Sequence, residues 1–105
     1  RFGSARIPMA AACVAVDLDL SNRPYLVYRV ELARDWVADF DAALVEDFLY
    51  AFSQNGGIDL HVERAYGHNV HHILEGIFEG LGRALDEATT LDPRVRGALS
   101  TKGSL

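Results

Sequence analysis

Residues 10–20, AAACVAVDLDL, decide how the fold begins. Through the second half of this stretch, apolar residues alternate with acidic ones. The alternating positions are Val14, Val16, Leu18 and Leu20 on one face and Asp17 and Asp19 on the other. Alternation of period two is typical of a strand with one buried and one solvated face. The stretch therefore predicts a half-buried strand.

Two further strands are predicted on either side of a helical region. Residues 21–24 (SNRP) have turn chemistry and precede a second alternating stretch at 25–32, so these two strands are expected to pair as a hairpin. A short strand is predicted at 58–62, with His61 pointing opposite to its apolar neighbours, and one more strand is possible near residues 5–8.

Two amphipathic helices complete the pattern, at about 39–55 and 69–88. Their predicted core stripes are Leu44, Val45, Phe48, Leu49 and Phe52 in the first helix and Leu74, Ile77, Phe78, Leu81 and Leu85 in the second. Asp39 or Asp41 is the expected N-cap of the first helix, Asn55-Gly56-Gly57 its stop, and Asn69 the cap of the second. The resulting expectation is one α+β domain over residues 1–105, ordered ββαβα. It has a mostly antiparallel sheet of three to four strands with both helices on one face.

Composition excludes several classes of function. Ten Lys and Arg against fifteen Asp and Glu leave a net charge of −5, which argues against non-specific nucleic-acid binding. The chain is 50% apolar and 24% charged, which is ordinary for a globular protein and unlike a disordered one. It contains no apolar run long enough to span a membrane. The single cysteine, Cys13, cannot form an internal disulfide, so we expect a cytoplasmic protein.

A cluster of histidines at the start of the second helix indicates metal binding. At 100° per residue, Glu75 projects between His71 and His72, and His61 lies on the preceding strand, close enough in the chain to converge with them. Three imidazoles and a carboxylate suit Zn, Mn, Fe or Ni. The alternative is that these are solvated surface histidines, because HHxxE alone is a weak pattern. His68 is the weakest candidate, since it precedes the cap.

A second group of residues suits an anionic ligand. The segment Ser100-Thr101-Lys102-Gly103 offers two hydroxyls, an ammonium group and a glycine that allows close backbone approach to a phosphate. Arg23 and Arg1 are further candidates. Taken singly, each is more often a solvated surface residue.

Taken together, these motifs resemble the C-terminal half of the imidazoleglycerol-phosphate dehydratase family. The matching segments, in family order, are RFGSA (1–5), IPM (7–9), VDLDLSNRPYLVY (16–28), IDLHV (58–62), GHNVHHILEGIFEGLGRAL (67–85) and STKGSL (100–105). The resemblance implies a fold like domain 2 of ribosomal protein S5. It also implies a hydro-lyase of histidine biosynthesis that converts imidazoleglycerol phosphate to imidazoleacetol phosphate, working with Mn²⁺ in large homo-oligomeric shells.

The resemblance also implies roles for individual residues. The expected metal ligands are His61, His71, His72 and Glu75, with Glu75 also catalytic, and the expected phosphate ligands are Arg1, Arg23, Ser100 and Lys102. At the position of His68 the family commonly has Lys or Arg.

Two departures from the family affect the expected chemistry. The family's N-terminal half has no counterpart, and Ala10 and Ala11 replace acidic residues. Two hypotheses remain open. The chain is either an enzyme half in which two copies take the place of the family's two halves, or a metal-binding, self-assembling module without catalysis.

Overall fold

The computed structural model describes residues 1–94, which form a four-stranded mixed sheet, a small two-stranded sheet and two helices. The strands are β1 (Phe2–Met9), β2 (Ala12–Asp19), β3 (Tyr25–Arg29), β4 (Trp36–Val37), β5 (Phe40–Asp41) and β6 (Asp59–Tyr66). The helices are α1 (Ala43–Gly56) and α2 (Val70–Thr89). This is the predicted α+β class, and the possible strand near residues 5–8 is confirmed as β1. Neither helix is long and apolar enough to cross a membrane.

The order of the main sheet is β1-β2-β6-β3. β1 and β2 form an antiparallel hairpin in which Phe2 pairs with Asp19 and Met9 with Ala12. β2 also pairs antiparallel with β6, whereas β3 runs parallel to β6 on its other side. β3, α1 and β6 therefore form a parallel strand–helix–strand unit, as parallel neighbours require.

The predicted hairpin between residues 10–20 and 25–32 is wrong. Asn22 adopts a positive φ of 58°, and its N–H donates to the carbonyl oxygen of Gly57. The N–H of Tyr25 donates to the carbonyl oxygen of Ile58. These bonds carry the chain across the end of β6, so β3 pairs with β6 and not with β2. A tight hairpin turn and a connection that crosses to a different strand use the same turn residues. The sequence pattern therefore does not distinguish the two.

The helix ends follow local hydrogen bonding. Gly57 takes the left-handed conformation that ends α1, and Asn69 caps α2 by accepting a hydrogen bond from the His72 N–H at 3.0 Å. At the start of α1 the cap position is Ala42, which makes no side-chain cap bond. Asp41 instead accepts from the N–H of Ala43 at 3.0 Å.

The core lies between one face of the sheet and the two helices. We call this the inner face of the sheet and the opposite face the outer face. The largest fully buried side chains of the core are Leu49, Leu60, Ile73, Ile77, Val14, Val16, Val45 and Val62. Leu44, Phe48 and Phe78, which were predicted in the core stripes, are instead about half exposed. The outer face carries polar residues of the alternating strands, including Asp17 and His61.

Candidate metal centre

The exposed start of α2 presents an imidazole and a carboxylate one helical turn apart. The Nε2 atom of His71 lies 3.4 Å from the Oε2 atom of Glu75, and the two side chains are 65% and 54% exposed. The cap at Asn69 fixes the first turn of the helix and thereby the direction in which His71 projects. Both groups are ligands that divalent transition metals accept. Their exposure leaves room for ligands from outside this chain.

His72 projects in a different direction from His71. The two rings are 6.1 Å apart between centroids and nearly perpendicular, at 83°. Successive helical residues diverge by about 100°, which accounts for this arrangement. The two imidazoles therefore point in different directions from the helix. His68 is exposed and lies before the cap, outside the helix.

His61 lies on the outer face of the sheet, away from α2. Its Nε2 atom is 2.8 Å from Oδ1 of Asp59, and it stands beside Asp17 in the β2–β6 register. The helices cover the inner face, so His61 does not join His71 and Glu75 within one chain. Among residues 1–94, no group of three or more His, Cys, Asp or Glu side chains is placed to hold a metal ion. The expected convergence of His61 on the helical cluster is therefore absent within a single copy.

A groove adjoins His71 and Glu75 that the sequence pattern did not predict. It encloses about 630 Å³ and is lined by Val37, Phe40, His71, Leu74, Glu75, Phe78 and Glu79. Val37 and Phe40 belong to the small β4–β5 hairpin, in which Ala38 has a positive φ of 52°. In the sequence, the sign of this hairpin is that two apolar residues, Val37 and Phe40, stand on either side of Ala38-Asp39. The hairpin adds an apolar wall beside the candidate ligands.

The candidate phosphate ligands divide into three cases. The guanidinium of Arg1 donates from Nε and Nη2 to the Asp19 carboxylate at 2.7 and 3.1 Å, and this hydrogen bonding raises the pKa of Arg1. Arg23 is exposed and donates from Nη1 to the carbonyl oxygen of Ser21 at 3.1 Å, so it also braces its own turn. Ser100 and Lys102 lie outside the described residues.

The side-chain partner of Arg1 shares the outer face of the sheet with His61. The partner of Arg1, Asp19, lines a shallow pocket of about 230 Å³ together with Asp59 and His61. The chain thus carries two partial sets of candidate ligands. One lies on the outer face of the sheet and the other at the start of α2.

Comparisons with known proteins agree on one family. Residues 1–85 match the family model described as imidazoleglycerol-phosphate dehydratase. The proteins of that name from Trichlorobacter lovleyi and Syntrophobacter fumaroxidans are 52% and 54% identical to this chain over all 105 residues. Those residues make up 54% and 53% of the two relatives, so the chain spans about half of their length.

Solved structures show the same likeness. The imidazoleglycerol-phosphate dehydratase of Staphylococcus aureus superposes with a TM-score of 0.85 at 38% identity, over 88% of this chain and 54% of that one. The Pyrococcus furiosus structure gives 0.88 at 38% identity, over 100% of this chain and 57% of that one. With a family-model match over most of its length and half-identical relatives across all of it, the chain belongs to the imidazoleglycerol-phosphate dehydratase family.

Proposed function

We propose that this chain, assembled from several copies, dehydrates imidazoleglycerol phosphate to imidazoleacetol phosphate in cytoplasmic histidine biosynthesis. The observation that carries the proposal is the His71–Glu75 pair, exposed at the capped start of α2 in a chain of this family. In the net reaction a carbon-bound proton and a hydroxide leave the substrate as water. The reaction therefore needs a group that accepts a proton and groups that hold the substrate in place.

Self-association would bring the divided ligands together. Transition metals in proteins take at least four ligands. At the start of α2, His71 and Glu75 can reach one ion, whereas the His72 imidazole projects in another direction. His61 lies on the opposite layer of the same copy. In the assembly we propose, the outer face of one copy meets the start of α2 of another, so that His61 completes the centre formed by His71 and Glu75, while His72 serves a second ion.

The donor set fits Mn²⁺ and also Zn²⁺ or another divalent transition metal, because it combines imidazole nitrogen with carboxylate oxygen. A bound ion of this kind supplies Lewis-acid polarisation of the substrate. Glu75 is the proposed proton acceptor, since its carboxylate is more than half exposed beside the groove. His71 positions that carboxylate through the 3.4 Å contact.

The substrate phosphate requires positive charge on a chain whose net charge is −5. We assign this role to Lys102 and Arg23, with Ser100 and Arg1 assisting. Arg23 keeps guanidinium donors beyond the Nη1 that bonds to Ser21, and a guanidinium suits a phosphate because it binds two oxygens at once. The Nε and Nη2 atoms of Arg1 both donate to the Asp19 carboxylate. Arg1 can therefore bind the substrate phosphate only if its ion pair with Asp19 breaks or rearranges.

A second candidate is a metal-binding, self-assembling module without catalysis. The observation that favours it is the β1–β2 turn, where Ala10 takes a φ of 54° and neither Ala10 nor Ala11 carries a carboxylate. In this case metal would drive or stabilise assembly without turnover.

Turnover distinguishes the two candidates. The purified 105-residue chain is incubated with Mn²⁺ and imidazoleglycerol phosphate, and imidazoleacetol phosphate is quantified by mass spectrometry. We expect product well above a metal-only control, a loss of at least about 100-fold for Glu75→Gln, and little change for the exposed variant Glu46→Gln on α1. Metal-bound assemblies that form no product would contradict the enzyme and favour the module.

A further inference from the structure

Arg64 carries a guanidinium at a position of the sheet that belongs to the core. It lies near the end of β6, on the same face as Leu60 and Val62, which are fully buried. In the register it stands opposite Val14 of β2, which is also fully buried. Arg64 is itself partly buried. A charged group at the inner face loses hydration, which is unfavourable unless its donors find acceptors.

The polar contact of Arg64 is with the backbone just beyond β6. Its Nη1 atom donates to the carbonyl oxygen of Gly67 at 3.1 Å. Its Nε atom is buried and has no hydrogen-bond partner among residues 1–94. Arginines that hold a carboxylate use two nitrogens together, as Arg1 does with Asp19. Arg64 is therefore placed to make a single bond, and that bond is to Gly67.

Gly67 begins the connection from β6 to α2 and fits tightly against β2. It has a positive φ of 104°, and a Cβ atom added here would overlap Ala12 at the start of β2. Only glycine allows the chain to come this close. Two residues later, the side chain of Asn69 accepts a hydrogen bond from the N–H of His72 and caps α2. The Arg64 bond thus holds one end of the connection, and the Asn69 cap holds the other.

The connection leads directly into the turn that carries the candidate metal ligands. His71 and His72 lie in the first turn of α2, and Glu75 lies one turn further along. The N–H groups of a first turn have no acceptors within the helix, so this turn opens more easily than the helix interior. An open first turn moves both imidazoles, and metal affinity depends on ligands that their surroundings hold in place. A bond that anchors the connection therefore acts on the metal centre.

Charge alone does not favour a cation at this place. The start of a helix has a partial positive charge, and a bound metal ion adds more. A guanidinium bonded to the chain just before α2 is repelled by both, so the hydrogen bond to Gly67 is the favourable part of the interaction. We propose that Arg64 is a positioning residue, whose bond to Gly67 holds the β6–α2 connection and thereby the direction of His71 and Glu75. The proposal rests on the proposed function and adds a residue that acts on its metal centre without touching metal or substrate.

Arg64→Met tests this role, because methionine keeps an unbranched apolar stem and loses both the donors and the charge. Replacing a poorly partnered buried charge by an apolar side chain is often neutral for stability, so we expect a thermal midpoint within about 5 °C of the unmodified chain. Mn²⁺ affinity by isothermal titration calorimetry should fall by at least about tenfold. Amide exchange of the His72 N–H, measured by NMR, should become at least about tenfold faster, while exchange in β2 and β6 stays the same.

Two further variants separate the bond from the charge. Removal of a cation by itself strengthens Mn²⁺ binding, so Arg83→Met, which removes the partner of Glu79 on α2, should not weaken it. Arg64→Lys keeps a donor, and one ammonium N–H is enough for a single bond to Gly67. Because the bond is not bidentate, we expect Arg64→Lys to bind Mn²⁺ within about threefold of the unmodified chain.

Equal Mn²⁺ affinity in Arg64→Met and the unmodified chain would overturn the proposal. So would faster exchange throughout β2 and β6, because Arg64 would then support the whole fold, and so would an Arg64→Lys protein that binds as weakly as Arg64→Met. An unmodified chain that binds no Mn²⁺ would contradict the proposed function, and unchanged His72 exchange would then also overturn the role of Arg64. Mn²⁺ binding that depends on Arg64 without any turnover would contradict the activity alone.

Discussion

The Nε2 atom of His71 lies 3.4 Å from the Oε2 atom of Glu75, on the solvent-facing side of the first turns of α2. A metal ion that binds both groups needs further ligands from outside the helix. His61 carries a suitable imidazole but lies on the other layer of the same copy. In the function proposed above, the missing ligands come from a second copy.

His71→Ala should remove bound metal. The variant loses one nitrogen ligand and leaves Glu75 without its neighbouring imidazole, so we expect at least about a tenfold loss of Mn²⁺ affinity by isothermal titration calorimetry. His68→Ala is the control, because His68 lies before the helix cap, and it should bind Mn²⁺ like the unmodified chain. An unchanged metal content in His71→Ala would remove the site as proposed here.

Lys102→Ala should weaken binding of a phosphate-bearing imidazole ligand by about 1.5–3 kcal/mol, the range for a hydrogen bond to a charged group. Metal content should stay the same, because this ammonium is not a proposed metal ligand. Arg83→Ala is a matched control, since Arg83 pairs with Glu79 on the surface of α2. Equal ligand affinity in the Lys102→Ala and unmodified proteins would exclude the 100–105 segment from the site.

Gly3→Ala should destabilise the fold by about 1–3 kcal/mol in urea unfolding. β1 lies so close to α2 that a Cβ atom at Gly3 would overlap the Ala84 carbonyl oxygen. Gly82→Ala provides the contrast, because its Cβ enters open space and alanine favours the helix, so stability should rise by up to about 1 kcal/mol. A Gly3→Ala protein as stable as the unmodified chain would mean that β1 and α2 are not in such close contact.

Tyr28 should make the fold sensitive to alkali. Burial, with a smaller effect of Glu46, raises the pKa of Tyr28 from 10.0 to about 12. Above pH 10 the unfolded chain has lost this proton while the folded chain retains it, so the free energy of unfolding should fall as the pH rises from 10 to 12. Tyr28→Phe should show a smaller fall over the same range, measured by urea unfolding at each pH. Parallel pH profiles for the two proteins would contradict the assignment.

Local patterns in the sequence predicted most elements but not their pairing. The period-two and period-3.6 segments located β2, β3 and both helices, and the caps at Asn69 and Gly57 are as expected. The partner of β3 was mispredicted, because only the long-range bonds of Asn22 and Tyr25 to the chain around residue 57 distinguish a crossing from a hairpin.

At the candidate site, too, contacts within one helix were predictable from the sequence and contacts between distant segments were not. Helical spacing predicted that Glu75 lies near His71, because both belong to one helix. It did not predict that His61 lies on the opposite layer, since that depends on which face of the sheet the helices cover. The β4–β5 hairpin beside the ligands was also missed, because its two-residue strands are too short for a periodic signal.

Native mass spectrometry during a Mn²⁺ titration tests most directly the claim that copies of this chain complete one another's metal centres, because one spectrum counts subunits and ions together. We predict that Mn²⁺ appears only in species of two or more copies, and that His71→Ala removes those ions. Monomers that carry Mn²⁺ at the same concentrations as the assemblies would contradict the claim.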